Sequence, residues 1–202
     1  MPIRFNVKTK RYERDGVPVP YSEVRGRVLA LQAKIAKQLR RLAKQLNDSK
    51  ITSKEWQSSV KETLKAGHLA AAAIGKGGVS QLKNKDVAKV NKKLKWQYGF
   101  LAKFSKAITR GKFAANPARI VSRAASYASA VYVTYATTRF DEEKAKADPE
   151  MKCRLVINSE EGCEECASDA ENGWVPVSEM DEIGTRICGD FCKCTIEFED
   201  EL

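Results

Sequence analysis

The sequence predicts a mainly α-helical protein, in which a helical bundle is followed by a small α+β module at the C-terminus. Four segments carry helical signals, and 24 of the 202 residues are alanine, the best helix former. All six cysteines fall within residues 151–202, where two short strand-like segments, 154–157 and 195–198, are expected to pair. A folded chain is expected, because 43% of the residues are hydrophobic and 31% are charged.

Charge divides the chain into two parts. Residues 151–202 hold four basic and 14 acidic side chains, a net charge of −10, whereas the rest of the chain carries +20. We therefore divide the sequence into an extended basic arm (1–20), which Asp15-Gly16 could also turn into a hairpin, a basic helical domain (21–140), a charged linker (141–150) and an acidic cysteine-rich module (151–202). Such asymmetry hints at binding to a polyanion or a protein partner.

Three amphipathic helices are predicted in the basic domain. The second is expected to begin at a capping box, Thr52 with Glu55, and to end at the glycines of residues 75–78. The third should span residues 84–110 and stop at Gly111. The first has apolar residues at helical spacing, with basic residues between them: Val24, Val28, Leu31, Ile35, Leu39, Leu42 and Leu46.

A fourth helix is expected over residues 118–139, opened by Asn116 as cap and Pro117 at the first helical position. Its residues are apolar or small on nearly every face. A helix of this kind is usually buried. It is therefore either the central helix of the bundle or a contact between subunits of a homo-oligomer.

The cysteines are spaced like the ligands of a metal ion. Cys163 and Cys166 form a C-x-x-C pair, and Cys188, Cys192 and Cys194 form a second group 21 residues further on. A C-x-x-C turn presents two thiolates to one ion, and a second group can complete a tetrahedron. All-sulfur tetrahedral sites are typical of structural zinc. We predict a zinc-stapled module in which four of these five cysteines bind the metal.

Two other uses of the cysteines are less favoured. Residues 1–20 contain no apolar run typical of a secretory signal, so the protein is expected to be made in the reducing cytoplasm. Thiols rarely form disulfides in that compartment. Redox catalysis by Cys163 and Cys166 lacks the surrounding thioredoxin-like pattern. A single zinc leaves one thiol over, with Cys192 and Cys194 as the candidates, and Cys153 is expected to be a free, buried thiol.

The sequence contains no recognisable catalytic constellation, so a non-enzymatic protein is predicted. His68 is the only histidine and has no acidic residue within one helical turn, which favours a packing or solvated role over catalysis. No membrane span is expected either. The longest charge-free stretch, residues 124–138, is shorter than the roughly 20 apolar residues that a span needs.

The third helix is a candidate contact for packaged double-stranded DNA. Its lysines alternate with Trp96 and Tyr98, and they could hold phosphates without reading bases. A solvated lysine face is the alternative, but the high positive charge of the helical domain favours the nucleic acid. The lysines concerned are Lys83, Lys85, Lys89, Lys92, Lys93 and Lys95.

The sequence resembles the Mu-type head-morphogenesis family, the minor head proteins of tailed phages. The similarity covers most of residues 50–200, and the cysteine-rich end is its most specific part. At Cys188 the chain departs from the family pattern, because many relatives carry a His-Pro pair there. The matching motifs are Glu55-Trp56-Gln57, Gly77-Gly78, Gln97-Tyr98-x-x-Leu101-x-x-Phe104, Arg123-x-x-x-Tyr127, Arg154-Leu-Val-Ile-Asn, Cys163-x-x-Cys166, Gly173-Trp174-Val-Pro176, Ile183-Gly184 and Cys188-x-x-x-Cys192-Lys193-Cys194.

The resemblance implies a virion component that is assembled in the host cytoplasm. Such a protein would act near the portal in capsid assembly, DNA packaging or DNA delivery, with the portal protein or the major capsid protein as partners. The alternative is a zinc-containing DNA-binding regulator. A regulator should carry base-reading side chains on a helix bound for the major groove, whereas the net charge of −10 on the cysteine-rich module would repel DNA.

Overall fold

The fold is mainly helical, as the sequence predicts, with a small sheet and a cysteine cluster at its C-terminal end. This computed structural model describes residues 3–9, 11–145, 150–158 and 162–199. The long helices are α1 (Tyr21–Asn47), α2 (Ser53–Lys76), α3 (Asn84–Thr109), α4 (Ala118–Ser126) and α5 (Ser129–Lys144).

Helix α2 lies at the centre of the bundle and packs against α1, α3 and α5. Its first turn carries the predicted capping box: the Thr52 hydroxyl accepts a hydrogen bond from the Glu55 backbone, and the Glu55 carboxylate accepts one from Thr52. It ends at Gly77, in the left-handed conformation at φ +85°. The core contains aromatic residues as well as aliphatic ones, with the Trp56 and Phe104 rings edge to face at 5.8 Å.

The predicted fourth helix is two helices, α4 and α5, and in this respect the sequence-based prediction was wrong. The helix breaks at Tyr127 and Ala128, where the Ala128 N–H bonds to the Ala125 carbonyl and the Val131 N–H bonds to the Ala128 carbonyl. Each of these bonds spans three residues instead of four, so the turn tightens and the α-helical ladder is interrupted. Both dihedral pairs remain in the helical region, which explains why the sequence pattern continues through the break.

Helix α5 is buried within the chain. Tyr132 and Tyr135 are at most 2% exposed, and the helix is covered by α1 and α2 on one side and by the C-terminal module on the other. Of the two roles predicted for this segment, the structure therefore supports a helix internal to the protein. The helix also extends into the predicted linker, because residues 141–144 form its last turn.

Of the two forms expected for the N-terminal segment, the structure has the hairpin-like one and not the extended one. The segment forms a three-stranded antiparallel sheet of β1 (Arg4–Asn6), β2 (Arg11–Arg14) and β3 (Val17–Pro18). The Tyr12 hydroxyl donates a hydrogen bond to the carbonyl of Ile74 at the end of α2, and Arg27 donates one to the carbonyl of Ile3 at 3.3 Å. These contacts hold the sheet against the bundle.

The C-terminal module contains a second antiparallel sheet and one short helix. The strands β4 (Lys152–Val156), β5 (Val175–Pro176) and β6 (Thr195–Phe198) lie in the order β5-β4-β6, and α6 spans Glu164–Glu171. The two predicted strand segments pair as expected, with Leu155 opposite Ile196.

Candidate metal centre

Two separate parts of the module bring five cysteines together. Cys163 occupies the N-cap position of α6, and Cys166 lies in its first turn, so the C-x-x-C pair is at the start of a helix. Cys188 and Cys192 flank a 3₁₀ turn, Gly189–Phe191, and Cys194 immediately precedes β6. Because β6 pairs with β4, Cys188, Cys192 and Cys194 lie close to Cys163 and Cys166.

The thiols form two groups of three that share Cys166. One group is Cys163, Cys166 and Cys188, and the other is Cys166, Cys192 and Cys194; within each group all sulfur atoms lie within 4.8 Å of one another. The Sγ atoms of Cys166 and Cys188 are 3.7 Å apart. A tetrahedral ion with metal–sulfur bonds of about 2.3 Å requires sulfurs about 3.8 Å apart. The cluster can therefore hold a metal ion.

The thiols compete for ionisation. A hydrogen bond with Cys194 lowers the pKa of Cys192 to about 5, while burial raises the pKa of Cys166 to about 11. Burial likewise raises the pKa of Cys188, and the hydrogen bond with Cys192 raises that of Cys194. In Cys163 the bond with the Cys166 backbone lowers the pKa. Full ionisation of such a cluster requires a cation, which a bound metal would supply.

The cluster faces a cavity of about 650 Å³ between the module and the bundle. All five clustered cysteines border it, together with the cationic side chains Arg25 and Lys193. Positive side chains beside thiolates reduce the electrostatic cost of an all-sulfur site, since four thiolates and a divalent ion carry a net charge of −2.

Helix α5 anchors the module to the bundle. The Tyr132 hydroxyl donates a hydrogen bond to the Cys194 carbonyl at 3.1 Å, and Arg139 donates one to the Ile196 carbonyl at 3.0 Å. Lys93 on α3 forms an ion pair with Asp190 at 3.3 Å. Sequence reasoning did not identify these residues as anchors, although an arginine and tyrosines within an otherwise apolar helix were a signal for buried polar partners.

Cys153 is buried in β4 and belongs to neither group of thiols, as predicted for a free, buried thiol. Burial raises its pKa to about 11. All six cysteines are free in the structure.

His68 is a packed residue within the bundle. It is fully buried, and its Nδ1 and Nε2 atoms lie 2.6 Å from the Thr134 hydroxyl and 3.2 Å from the Gln97 side-chain oxygen. Burial, assisted by the charge of Lys93, lowers its pKa to about 4. At neutral pH the imidazole is therefore uncharged and held by two polar neighbours.

Five of the six candidate lysines lie on α3, and Lys83 directly precedes it. Lys89 and Lys93 lie on the side of the helix that faces Asp141 and Asp190 and are ion-paired with them. Lys93 is partly buried, whereas Lys89 is exposed, as are the other four lysines: Lys83, Lys85, Lys92 and Lys95.

Comparison of the chain with known protein families, with characterised proteins and with solved structures finds no match. In the part of the chain that the structure describes, no helix combines the length and the hydrophobicity that a membrane span requires. What the fold and the site define is a helical protein with a C-terminal cysteine cluster that can hold a metal ion.

Proposed function

We propose that the protein is a non-enzymatic structural component of a phage virion, a minor head protein with a structural zinc in its C-terminal module. The observation that carries the proposal is the gathering of five cysteine thiols into one cluster on a module that is docked on the bundle. The same cysteines form the most specific part of the resemblance to phage head-morphogenesis proteins.

Zinc fits the cluster because the donors are all sulfur and their spacing suits a tetrahedron. A metal that cross-links the chain also fits the size of the module, since few chains of about 50 residues fold without a metal or disulfides. The purified protein, prepared under reducing conditions, should carry about one zinc per chain.

Metal analysis of two cysteine variants tests this assignment. Cys166→Ser should lose most of the bound zinc, because Cys166 belongs to both groups of thiols and its removal leaves neither group complete. Cys153→Ser is the matched control and should retain it, since this thiol lies outside the cluster. Protein without zinc, or equal loss of zinc in both variants, would contradict the proposal.

The positive charge of the bundle supports non-specific contact with packaged double-stranded DNA. The exposed lysines of α3 and the net charge of +20 before residue 151 provide a surface attractive to phosphates. Affinity measured by fluorescence anisotropy should fall steeply with salt and should not differ between unrelated duplexes. Replacing Lys92 and Lys95 by Gln should reduce the slope of log K against log salt by about 2.

Lys50→Gln is the control for these lysine variants, because Lys50 is exposed on the loop between α1 and α2 and pairs with Asp48. Equal affinity at low and high salt would contradict DNA contact. Strong preference for one duplex would favour the regulatory protein instead.

Location in the virion follows from the same proposal. The protein should co-purify with phage heads at a far lower copy number than the major capsid protein, in contact with that protein or the portal. Quantitative mass spectrometry of purified heads measures this ratio. Heads that lack the protein, from a phage that encodes it, would overturn the virion assignment.

A further inference from the structure

Half of the large hydrophobic side chains that the described residues expose to solvent lie in one groove. Trp96 and Phe100 on α3 are 60% and 41% exposed, and Ile187 and Phe191 beside the cysteine cluster are 76% and 61% exposed. The groove has a volume of about 370 Å³ and lies where the bundle meets the module. We call it the aromatic groove. Contiguous apolar surface of this kind is typical of an interaction site.

Both walls of the aromatic groove are held in place. The Trp96 and Phe100 rings pack edge to face at 4.5 Å. On the other wall, the backbone N–H of Ile187 donates a hydrogen bond to the Glu165 carboxylate at 2.7 Å, and Phe191 ends the 3₁₀ turn between Cys188 and Cys192. A preorganised apolar surface loses little conformational entropy when a partner covers it.

The two walls carry opposite charge. On the bundle wall, Arg123 lines the groove and the Lys103 ammonium lies 5.7 Å from the centre of the Phe100 ring. On the module wall, the exposed Glu165 carboxylate lies next to Ile187, from whose backbone N–H it accepts a hydrogen bond. Asp190 also lines the groove there and is paired with Lys93 of the bundle. The aromatic groove therefore follows the boundary between the part of the chain with charge +20 and the part with charge −10.

We propose that two copies of the chain pair through the aromatic groove about a two-fold axis. In a two-fold interface each copy contributes the same patch, so a patch with one basic and one acidic wall can be complementary to itself. The basic wall of one copy then faces the acidic wall of the other, and the four exposed apolar side chains of each copy are covered. DNA fits this groove less well, because the acidic wall repels phosphates.

Sedimentation analysis of the zinc-loaded full chain tests this interface. The wild-type protein should show a concentration-dependent dimer. Trp96→Asp and Phe191→Asp, which act on opposite walls, should each raise the dimer Kd by at least about tenfold. Val79→Asp is the matched control, because Val79 is 78% exposed but lies outside the aromatic groove, and it should leave the Kd unchanged. Helix content and bound zinc show that each variant is folded.

The charge arrangement gives a second measurement. The wild-type dimer should dissociate more readily at about 0.5 M than at about 0.1 M salt, because salt screens the opposed walls. A protein that stays monomeric at every concentration overturns the proposal, as does a dimer that both groove variants leave intact. A monomer that binds DNA through Trp96 would overturn it in favour of a nucleic-acid surface. These outcomes do not depend on whether the protein belongs to a virion.

Discussion

The neutral imidazole of His68 makes the stability of the bundle depend on pH. Its pKa is about 4 in the folded protein and 6.5 when the side chain is exposed. Between these two values the unfolded chain binds more protons than the folded one. Acid therefore favours unfolding in this window, and the loss of stability is complete only below pH 4.

We expect the free energy of unfolding to fall by up to about 3 kcal/mol between pH 6.5 and 4 on account of this residue. His68→Gln removes the titrating group and leaves a side chain that can still reach Thr134 and Gln97. Urea unfolding of both proteins across this range isolates the effect, because carboxylates and thiols titrate in both. Parallel stability curves for the two proteins would refute the burial of a neutral histidine.

Gly184 shows how closely the module approaches α5. Its φ is +88°, and a Cβ at this position would lie 2.5 Å from a methyl carbon of Val133. Gly173 also has a positive φ, +65°, but a Cβ there would meet nothing within 4 Å. Alanine variants at the two positions can therefore distinguish the cost of backbone strain from the cost of a steric clash between the module and α5.

We expect Gly173→Ala to cost about 1 kcal/mol of stability through backbone strain alone. Gly184→Ala should cost at least about 2 kcal/mol, because Val133 or the module must also move. Thermal unfolding measures both. Equal losses would show that the contact with Val133 contributes nothing.

At the scale of elements, a buried ion-pair network joins the ends of three helices. The Lys76 ammonium, at the end of α2, lies 3.1 Å from Asp86 in the first turn of α3 and also contacts Glu142 on α5. Burial lowers the pKa of Lys76, but the hydrogen bonds and charges of Glu142 and Asp86 outweigh it, so the net shift is upwards. Glu142 belongs to the segment that composition alone assigned to a linker.

Removal of the central cation should destabilise the junction strongly. Lys76→Met leaves Asp86, which is 5% exposed, without its cation, and we expect a loss of about 3 kcal/mol. Lys89→Met breaks a more exposed pair with Asp141 and should cost less than about 1 kcal/mol. Chemical denaturation compares the two variants, and similar losses would contradict the network.

For the whole molecule, the bundle and the module have separate cores that meet at α5. One core lies among the helices of the bundle, and the other combines the module with Val133 and Phe140 of α5. On our proposal of a structural metal, metal loss should therefore unfold the module while most of the helix remains, because the binding free energy of such a metal is folding free energy.

Chelation should reduce the far-ultraviolet helical signal only slightly and should expose the C-terminal 50 or so residues to protease. It should also lower the melting temperature of the bundle, because Val133 and Phe140 would become exposed to solvent when the module unfolds. Circular dichroism and limited proteolysis with and without chelator measure these effects. Complete loss of helix on chelation would show that the two cores unfold as one.

The sequence by itself determined the fold class, the limits of the second and third helices and the pairing of β4 with β6. These features depend on local signals, such as the capping box at Thr52, the glycine stop at Gly77 and the alternation of apolar residues. The spacing of the cysteines likewise predicted which five would meet. Cys166 belongs to both groups of thiols, so a choice of four ligands among the five does not follow from spacing.

Tertiary structure decided the features that depend on contacts distant in sequence. The break between α4 and α5 has no local signal, because both of its residues keep helical dihedral angles. The docking of the module depends on Tyr132 and Arg139, which reach carbonyl groups about 60 residues away. The same docking pairs Lys93 with Asp190. It also forms the aromatic groove, because one wall of that groove belongs to the bundle and the other to the module.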